Sequence, residues 1–243
     1  MADPIEARTP NLARNAEAHR AGEATIQALA ELTQHCSGCR ACPLAEGRQQ
    51  VVVGRGNPEA RLMVIGEGPG AEEDARGLPF VGRSGQLLDR LLLEAGLDRD
   101  RDLYIANIVK CRPPENRKPT AREMAACRPW LDQQMALIDP DLIVLAGATA
   151  LAGLIGIKGG ISRLRGQWLP WGERLVMPVF HPAYLLRNPS RLPGAPLDLT
   201  LGDLVTVRQR LRQLQGPAPA LDDPATTASM AQRPELPSDP RRM

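Results

Sequence analysis

Aromatic side chains are scarce in this chain, with two Phe, two Tyr and three Trp among 243 residues. A ring at a defined position is therefore a feature to be explained. Long hydrophobic runs are also missing. No apolar stretch approaches the roughly 20 residues of a membrane-spanning helix, so no membrane partner is expected. Neither sign of charge dominates: 30 Lys and Arg against 28 Asp and Glu leave a formal net charge of +2. Bulk electrostatics thus point neither to nucleic acid nor to a lipid surface. The N-terminal stretch MADPIEARTPNLARNAEAHR has no apolar h-region, and its acids argue against a transit peptide. A cytoplasmic location is expected.

What the chain does have is an odd set of five cysteines, unevenly placed. Cys36, Cys39 and Cys42 share one loop, whereas Cys111 and Cys127 lie far downstream. In a reducing compartment such spacing suggests a metal site before it suggests disulfides. Cys39-x2-Cys42 with Cys111-x15-Cys127 offers four soft thiolates, suited either to structural zinc or to an iron–sulfur cluster. Spacing alone does not choose between them. Cys36-x2-Cys39-x2-Cys42 is also like a ferredoxin-type run, but the fourth position of that run, residue 46, is Glu.

Residues 1–21 are polar and patternless, and the segment from 215 to 243 is rich in Pro and Ala without periodicity. Both read as disordered tails around one domain, 22–214. Within it, four short apolar runs stand at wide spacing: Leu62–Gly66, Leu103–Val109, Leu142–Ala146 and Leu175–Phe180. Helical patterns separate or flank them at 21–36, 85–95, 120–137, 148–155 and 199–214. The fourth-last of these, 85–95, carries leucines at 87, 88, 91, 92 and 93, and the next opens on Thr120-x-x-Glu123, a capping box. Strands alternating with helices predict an α/β fold with a parallel sheet covered on both faces.

The chemistry gathers where strands end. Leu62-Met-Val-Ile65 breaks into Gly66-Glu67-Gly68-Pro69-Gly70, a turn that lets backbone approach a ligand closely. Gly66-x-Gly68-x-x-Ala71 formally satisfies a relaxed dinucleotide fingerprint. Against a nucleotide cofactor, Glu67 puts a carboxylate where pyrophosphate would sit, and no acidic residue ends a second strand at the right distance. The second strand ends at Asn107, whose amide can both donate to and accept from a planar ligand. The fourth ends at His181-Pro182. Three polar groups at three strand ends make a pocket.

These motifs resemble one family. Gly66-Glu-Gly-Pro-Gly70 with Glu73-Asp74, Leu78-Pro-Phe80-Val-Gly82, Asn107-Ile-Val-Lys-Cys111-Arg-Pro-Pro114 and His181-Pro-Ala-Tyr-Leu-Leu-Arg-Asn-Pro189 are similar, in order and spacing, to the family 4 uracil-DNA glycosylases. These are the iron–sulfur type of that superfamily, and the resemblance covers about residues 36–213. It implies a three-layer α/β/α sandwich around a four-stranded parallel sheet, and a 4Fe–4S cluster held by Cys39, Cys42, Cys111 and Cys127, leaving Cys36 spare. The implied reaction is hydrolysis of the N-glycosidic bond of deoxyuridine, by a monomer acting on uracil-containing DNA. The basic, histidine-bearing loop of a DNA-trapping relative is replaced here by Cys111-Arg-Pro-Pro-Glu-Asn-Arg-Lys-Pro119, so trapping is not expected.

The resemblance also implies roles. Gly66, Glu67, Gly68, Glu73, Phe80, Asn107 and His181 would line the uracil site, with Phe80 stacking on the base and Asn107 reading its edge. His181 would donate to uracil O2, and Glu67, favoured over Glu73, would handle water or the cationic sugar. Arg163, Arg165, Arg187 and Arg191 are candidates for phosphate contacts, and Leu185 or Leu186 for a wedge in the base stack. The competing reading is a non-catalytic iron–sulfur module that binds DNA on the same fold.

Overall fold

The apolar runs are strands, and three of them are buried along their whole length, as central parallel strands covered on both faces should be. A computed structural model of the chain describes residues 12–215, with side chains described from 22 to 214. The chain runs α1 (Leu12–Ser37), α2 (Leu44–Gly47), β1 (Gly54–Gly56), β2 (Leu62–Gly66), α3 (Ala71–Arg76) and α4 (Arg83–Glu94). It continues β3 (Leu103–Asn107), a 3-10 turn (Pro114–Asn116), α5 (Ala121–Ile138), β4 (Leu142–Ala146) and α6 (Ala148–Ile155). Then come α7 (Ile161–Leu164), β5 (Leu169–Trp171), β6 (Arg174–Val179), α8 (Pro182–Arg187) and α9 (Pro196–Gln215). Helix α1 takes in residues expected in the N-terminal tail. Helix α9 takes in Gln215, the first residue of the expected C-terminal tail; the rest of both tails falls outside the described residues.

The sheet has six strands in the order β1-β3-β2-β4-β6-β5, not the expected four. The inner four are parallel, and β1 and β5 add one antiparallel strand at each edge. Each edge strand is only three residues long and carries Gly or Pro, too short for an apolar period to show. The pleat sends alternate side chains to opposite layers. Leu62 and Val64 pack with α4, α8 and α9, while Met63 and Ile65 pack with α1, α5 and α6. The three-layer sandwich follows from this alternation.

Register matters more than strand count. Gly66 pairs with Asn107, Ile65 with Leu145 and Ala146 with Val179, so the carboxyl ends of the four parallel strands stand level. From β2 the chain moves to one side of the sheet, and from β4 to the other. The crevice between their ends is the place where such sheets bind ligands.

Local chemistry explains the helix limits. In α4, Leu87, Leu88, Leu91 and Leu92 are buried on one stripe and Leu93 is 72% exposed. Helix α3 was not expected, because its glycine-rich approach reads as turn. Glu73 reaches back to the Gly70 N–H at its start, and Gly77, at φ +70°, ends it. The capping box of α5 forms as expected: Thr120 Oγ1 accepts from the Glu123 N–H at 3.2 Å, and Glu123 accepts from the Thr120 N–H at 2.7 Å. Thr120→Ala should lower unfolding free energy by about 1 kcal/mol, measured by urea denaturation.

Candidate active site

A cleft of about 610 Å³ opens at the carboxyl ends of the strands, within the size range of small-ligand sites. Glu67, Gly68, Glu73, Phe80, Asn107 and His181 all line it. Gly66 lies beneath: a Cβ there would come within 2.5 Å of both Asn107 Oδ1 and the tip of the Phe80 ring. Glycine at this position is what lets amide and ring close over the strand end. Asn107 is 1% exposed, and its Nδ2 has no hydrogen-bond partner among the described residues. A buried donor left unpaired costs stability unless a ligand completes it.

The two carboxylates named as alternatives differ in what surrounds them. Glu73 is buried and fully engaged, with Oε2 accepting from the Gly70 N–H at 3.1 Å and Oε1 from the Val81 and Gly82 N–H groups at 2.9 and 2.7 Å. It fastens the Gly-rich turn to the Phe80 loop. Its neighbour Asp74 does the same toward the cysteine loop, accepting from the Gln49 and Gln50 N–H groups at 3.0 and 3.3 Å. Glu67 is half-buried on the cleft wall, with its backbone carbonyl taken by the Val109 N–H at 3.2 Å.

His181 is the N-cap of α8, with Pro182 following at the position where a missing N–H does no harm. Its Nδ1 accepts from the Ala183 N–H at 3.1 Å. The ring proton therefore sits on Nε2. Burial, with Arg187 adding to it, pushes the imidazole pKa down to about 4, so the ring is a neutral donor at pH 7. Gly147, at the end of β4, makes room for it. A Cβ on Gly147 would come within 2.9 Å of the His181 Cβ.

The sequence profile described as the Uracil DNA glycosylase superfamily matches residues 53–205. The chain belongs to this superfamily. It is 51% identical over 169 residues to a type-4 uracil-DNA glycosylase of Thermotoga maritima, covering 68% of this chain and 88% of that one. A type-4 uracil-DNA glycosylase of Sulfurisphaera tokodaii is 38% identical, over 68% of this chain and 79% of its own. A type-5 uracil-DNA glycosylase of Thermus thermophilus is 33% identical, over 52% and 71% respectively.

In this superfamily member all five cysteines border one small cavity, reached from α1, the loop after it, the exit of β3 and α5. Among the described residues no three such side chains are placed to hold a single metal ion. Three N–H donors point at three sulfurs: Trp130 Nε1 to Cys39 at 3.3 Å, Arg48 to Cys111 at 3.4 Å, and the Lys110 backbone to Cys127 at 3.2 Å. Cys36 is buried with Leu32 and Val53. Burial pushes its thiol up to about 12 and that of Cys111 to about 11. Lys110 is wholly buried, and its ammonium donates to the Asn107 carbonyl at 2.8 Å.

Two groups of candidates are sorted by their contacts. Arg165 is paired with Asp203 and also donates to the Leu199 carbonyl, and Arg191 holds Glu94 in a two-point pair at 2.9 Å. Of the four arginines, Arg187 lines the cleft, together with Arg117 and Lys118. Leu185 is 0% exposed in the core with Leu88 and Leu204, and Leu186 is partly buried against the same core. Sequence reasoning missed Gly147, Arg48, Lys110 and Trp130; Gly147, Arg48 and Trp130 meet partners distant in the chain, whereas the Lys110 ammonium reaches a carbonyl three residues back. For Gly147 there was one local signal, a glycine at the end of the third apolar run. Gly147→Ala, strained at φ +95° and crowding His181, should cut turnover at least about tenfold while circular dichroism stays close to wild type.

Proposed function

We propose that the chain is a uracil-DNA glycosylase of the type-4 kind, which hydrolyses the deoxyuridine N-glycosidic bond and leaves an abasic site. The observation that carries this reading is the pair of donors at the strand ends: the unpaired Asn107 amide and the Nε2–H of a neutral His181. Uracil presents acceptor, donor and acceptor in one plane. The reading flips the nucleotide out of the stack and lays its base against Phe80. Asn107 then pairs with O4 and N3–H, and His181 donates to O2.

The bond from C1′ to N1 breaks with its electron pair moving to the base, so negative charge grows on uracil as positive charge grows on the sugar. The His181 donor faces the first and the Glu67 carboxylate the second. A donor aimed at developing charge contributes about 3–4 kcal/mol to the barrier reduction. Water adds to C1′ and gives up its proton with Glu67 as acceptor. The three backbone N–H groups on Glu73 support this assignment of Glu67, because they occupy three of about four lone-pair sites on that carboxylate and hold it to the turn. All these groups come from one chain, which supports action as a monomer. Among the described residues no helix is long and apolar enough to cross a membrane, and the reading places the protein in the cytoplasm. Arg187, Lys118 and Arg163 are assigned to phosphates.

We assign the cysteine cavity to a 4Fe–4S cluster on Cys39, Cys42, Cys111 and Cys127. Four soft thiolates around one cavity, with N–H donors on three of the sulfurs, suit such a cluster. When bound, it would supply a covalent tie between the loop after α1, the exit of β3 and α5. The buried Lys110 ammonium would offset its negative charge.

Uracil-containing oligonucleotide incubated with the protein and then with alkali should be cleaved at uracil, whereas a non-catalytic DNA-binding module would leave it intact. Glu67→Gln should lower turnover about 10²-fold, and near wild-type turnover would remove Glu67 from the reaction. Because His181 protonates only as pH falls toward about 4, turnover should show no His181 titration near the usual imidazole value of about 6.5 and should fall only below pH 5. A falling limb centred near 6.5 would contradict a neutral donor. The purified protein should be brown, absorb near 400 nm and contain about four irons per chain; a colourless zinc protein would overturn the cluster.

A further inference from the structure

Phe80 is one of four non-glycine residues at positive φ among those described, at +53°, and it is the one with a large aromatic side chain. Such a conformation persists only where the surroundings impose it. Here the peptide group that follows Phe80 is held at both ends by opposite charges. Its carbonyl accepts from the Arg55 guanidinium at 2.7 Å, and its N–H, that of Val81, donates to the Glu73 carboxylate at 2.9 Å. Turning this peptide over would point the carbonyl at Glu73 and the N–H at Arg55, so both contacts would become repulsive. The backbone of α4 closes the remaining side: a Cβ on Gly85 would lie 2.0 Å from the Phe80 carbonyl oxygen.

Arg55 is brought to this point by the edge strand that the sequence did not reveal. It stands opposite Ile105 on β3, and the pleat sends both side chains into the layer of α4. Its neighbours are Gly54 and Gly56. A Cβ on the first would come within 2.4 Å of the Tyr104 hydroxyl, and on the second within 2.3 Å of the Leu103 carbonyl. The Gly-Arg-Gly strand is thus pressed onto β3 and offers one long side chain inward. That side chain is mostly buried, with Asp89 3.8 Å from its Nη2 and Asp89 itself paired to Arg99 at 2.6 Å.

We infer that Arg55 is a positioning residue for base recognition: by gripping the Phe80–Val81 peptide against Glu73, it holds the Phe80 ring where the uracil face must lie. This rests on the proposed stacking of uracil on Phe80. Arg55 touches neither base nor sugar, so its loss should weaken the hold on uracil more than it slows the bond-breaking step.

The test measures inhibition by free uracil, and KM and kcat on a uracil-containing oligonucleotide, for wild type, Arg55→Met, Arg55→Lys and Asp89→Asn. Arg55→Met should raise the uracil inhibition constant and KM about tenfold, with kcat within about threefold of wild type. Arg55→Lys, which keeps a charged donor, should recover part of the loss. Asp89→Asn, which disturbs the ion pair but not the peptide, should bind uracil as wild type does. Where Arg55→Met does not fold, Arg55→Gln, too short to reach the carbonyl, carries the same expectation. Wild-type uracil binding in a folded Arg55→Met or Arg55→Gln protein would overturn the inference, as would an equal loss in Asp89→Asn. A wild-type protein that releases no uracil would remove the functional reading and the inference with it.

Discussion

The in-register pairing of β2, β3, β4 and β6 is the constraint on which the rest of the molecule depends. Parallel hydrogen bonding sets Gly66 beside Asn107 and Ala146 beside Val179. The residues that follow each strand therefore leave the sheet at one level. Glu67, Asn107, Gly147 and His181 come from segments far apart in the chain, yet they share a cleft for this reason alone. A slip of one residue in any pair would turn its side chains to the opposite face and dissolve both the core and the site.

Around that edge, several buried charged side chains are engaged by backbone groups. Glu73 and Asp74 bind N–H groups on either side of α3, Lys110 holds the carbonyl of Asn107, and Arg55 holds that of Phe80. Backbone groups at the ends of strands and in tight turns have no ladder partner, and leaving them unpaired in a buried place is costly. Charged side chains complete them and at the same time fix the turns. The result is a pocket whose polar groups are placed before any ligand arrives, which suits the proposed recognition of a flat base.

The cysteine cavity and the cleft lie at opposite ends of one short segment. Asn107 lines the cleft, Lys110 sits three residues on beneath it, and Cys111 borders the cavity. Through Lys110 the two are joined by a backbone N–H on Cys127 and an ammonium on the Asn107 carbonyl. The proposed cluster would thus sit one short segment away from the cleft.

Much of this could be read from residue order. The four parallel strands were legible because each is a compact apolar run, α4 and α5 because their leucines and capping box are local signals, and the cleft because its glycines, Asn107 and His181 follow those runs. The sequence by itself determined the four parallel strands, where they end, and which polar groups stand at those ends, since these depend on neighbours a few positions away. Only the tertiary structure decided that Glu73 is engaged by backbone while Glu67 lies on the cleft wall, that Leu185 is core, and that a three-residue edge strand delivers Arg55 to Phe80. Those outcomes depend largely on pairings across 8 to 25 residues, and pairings of that kind leave no period or motif in the chain.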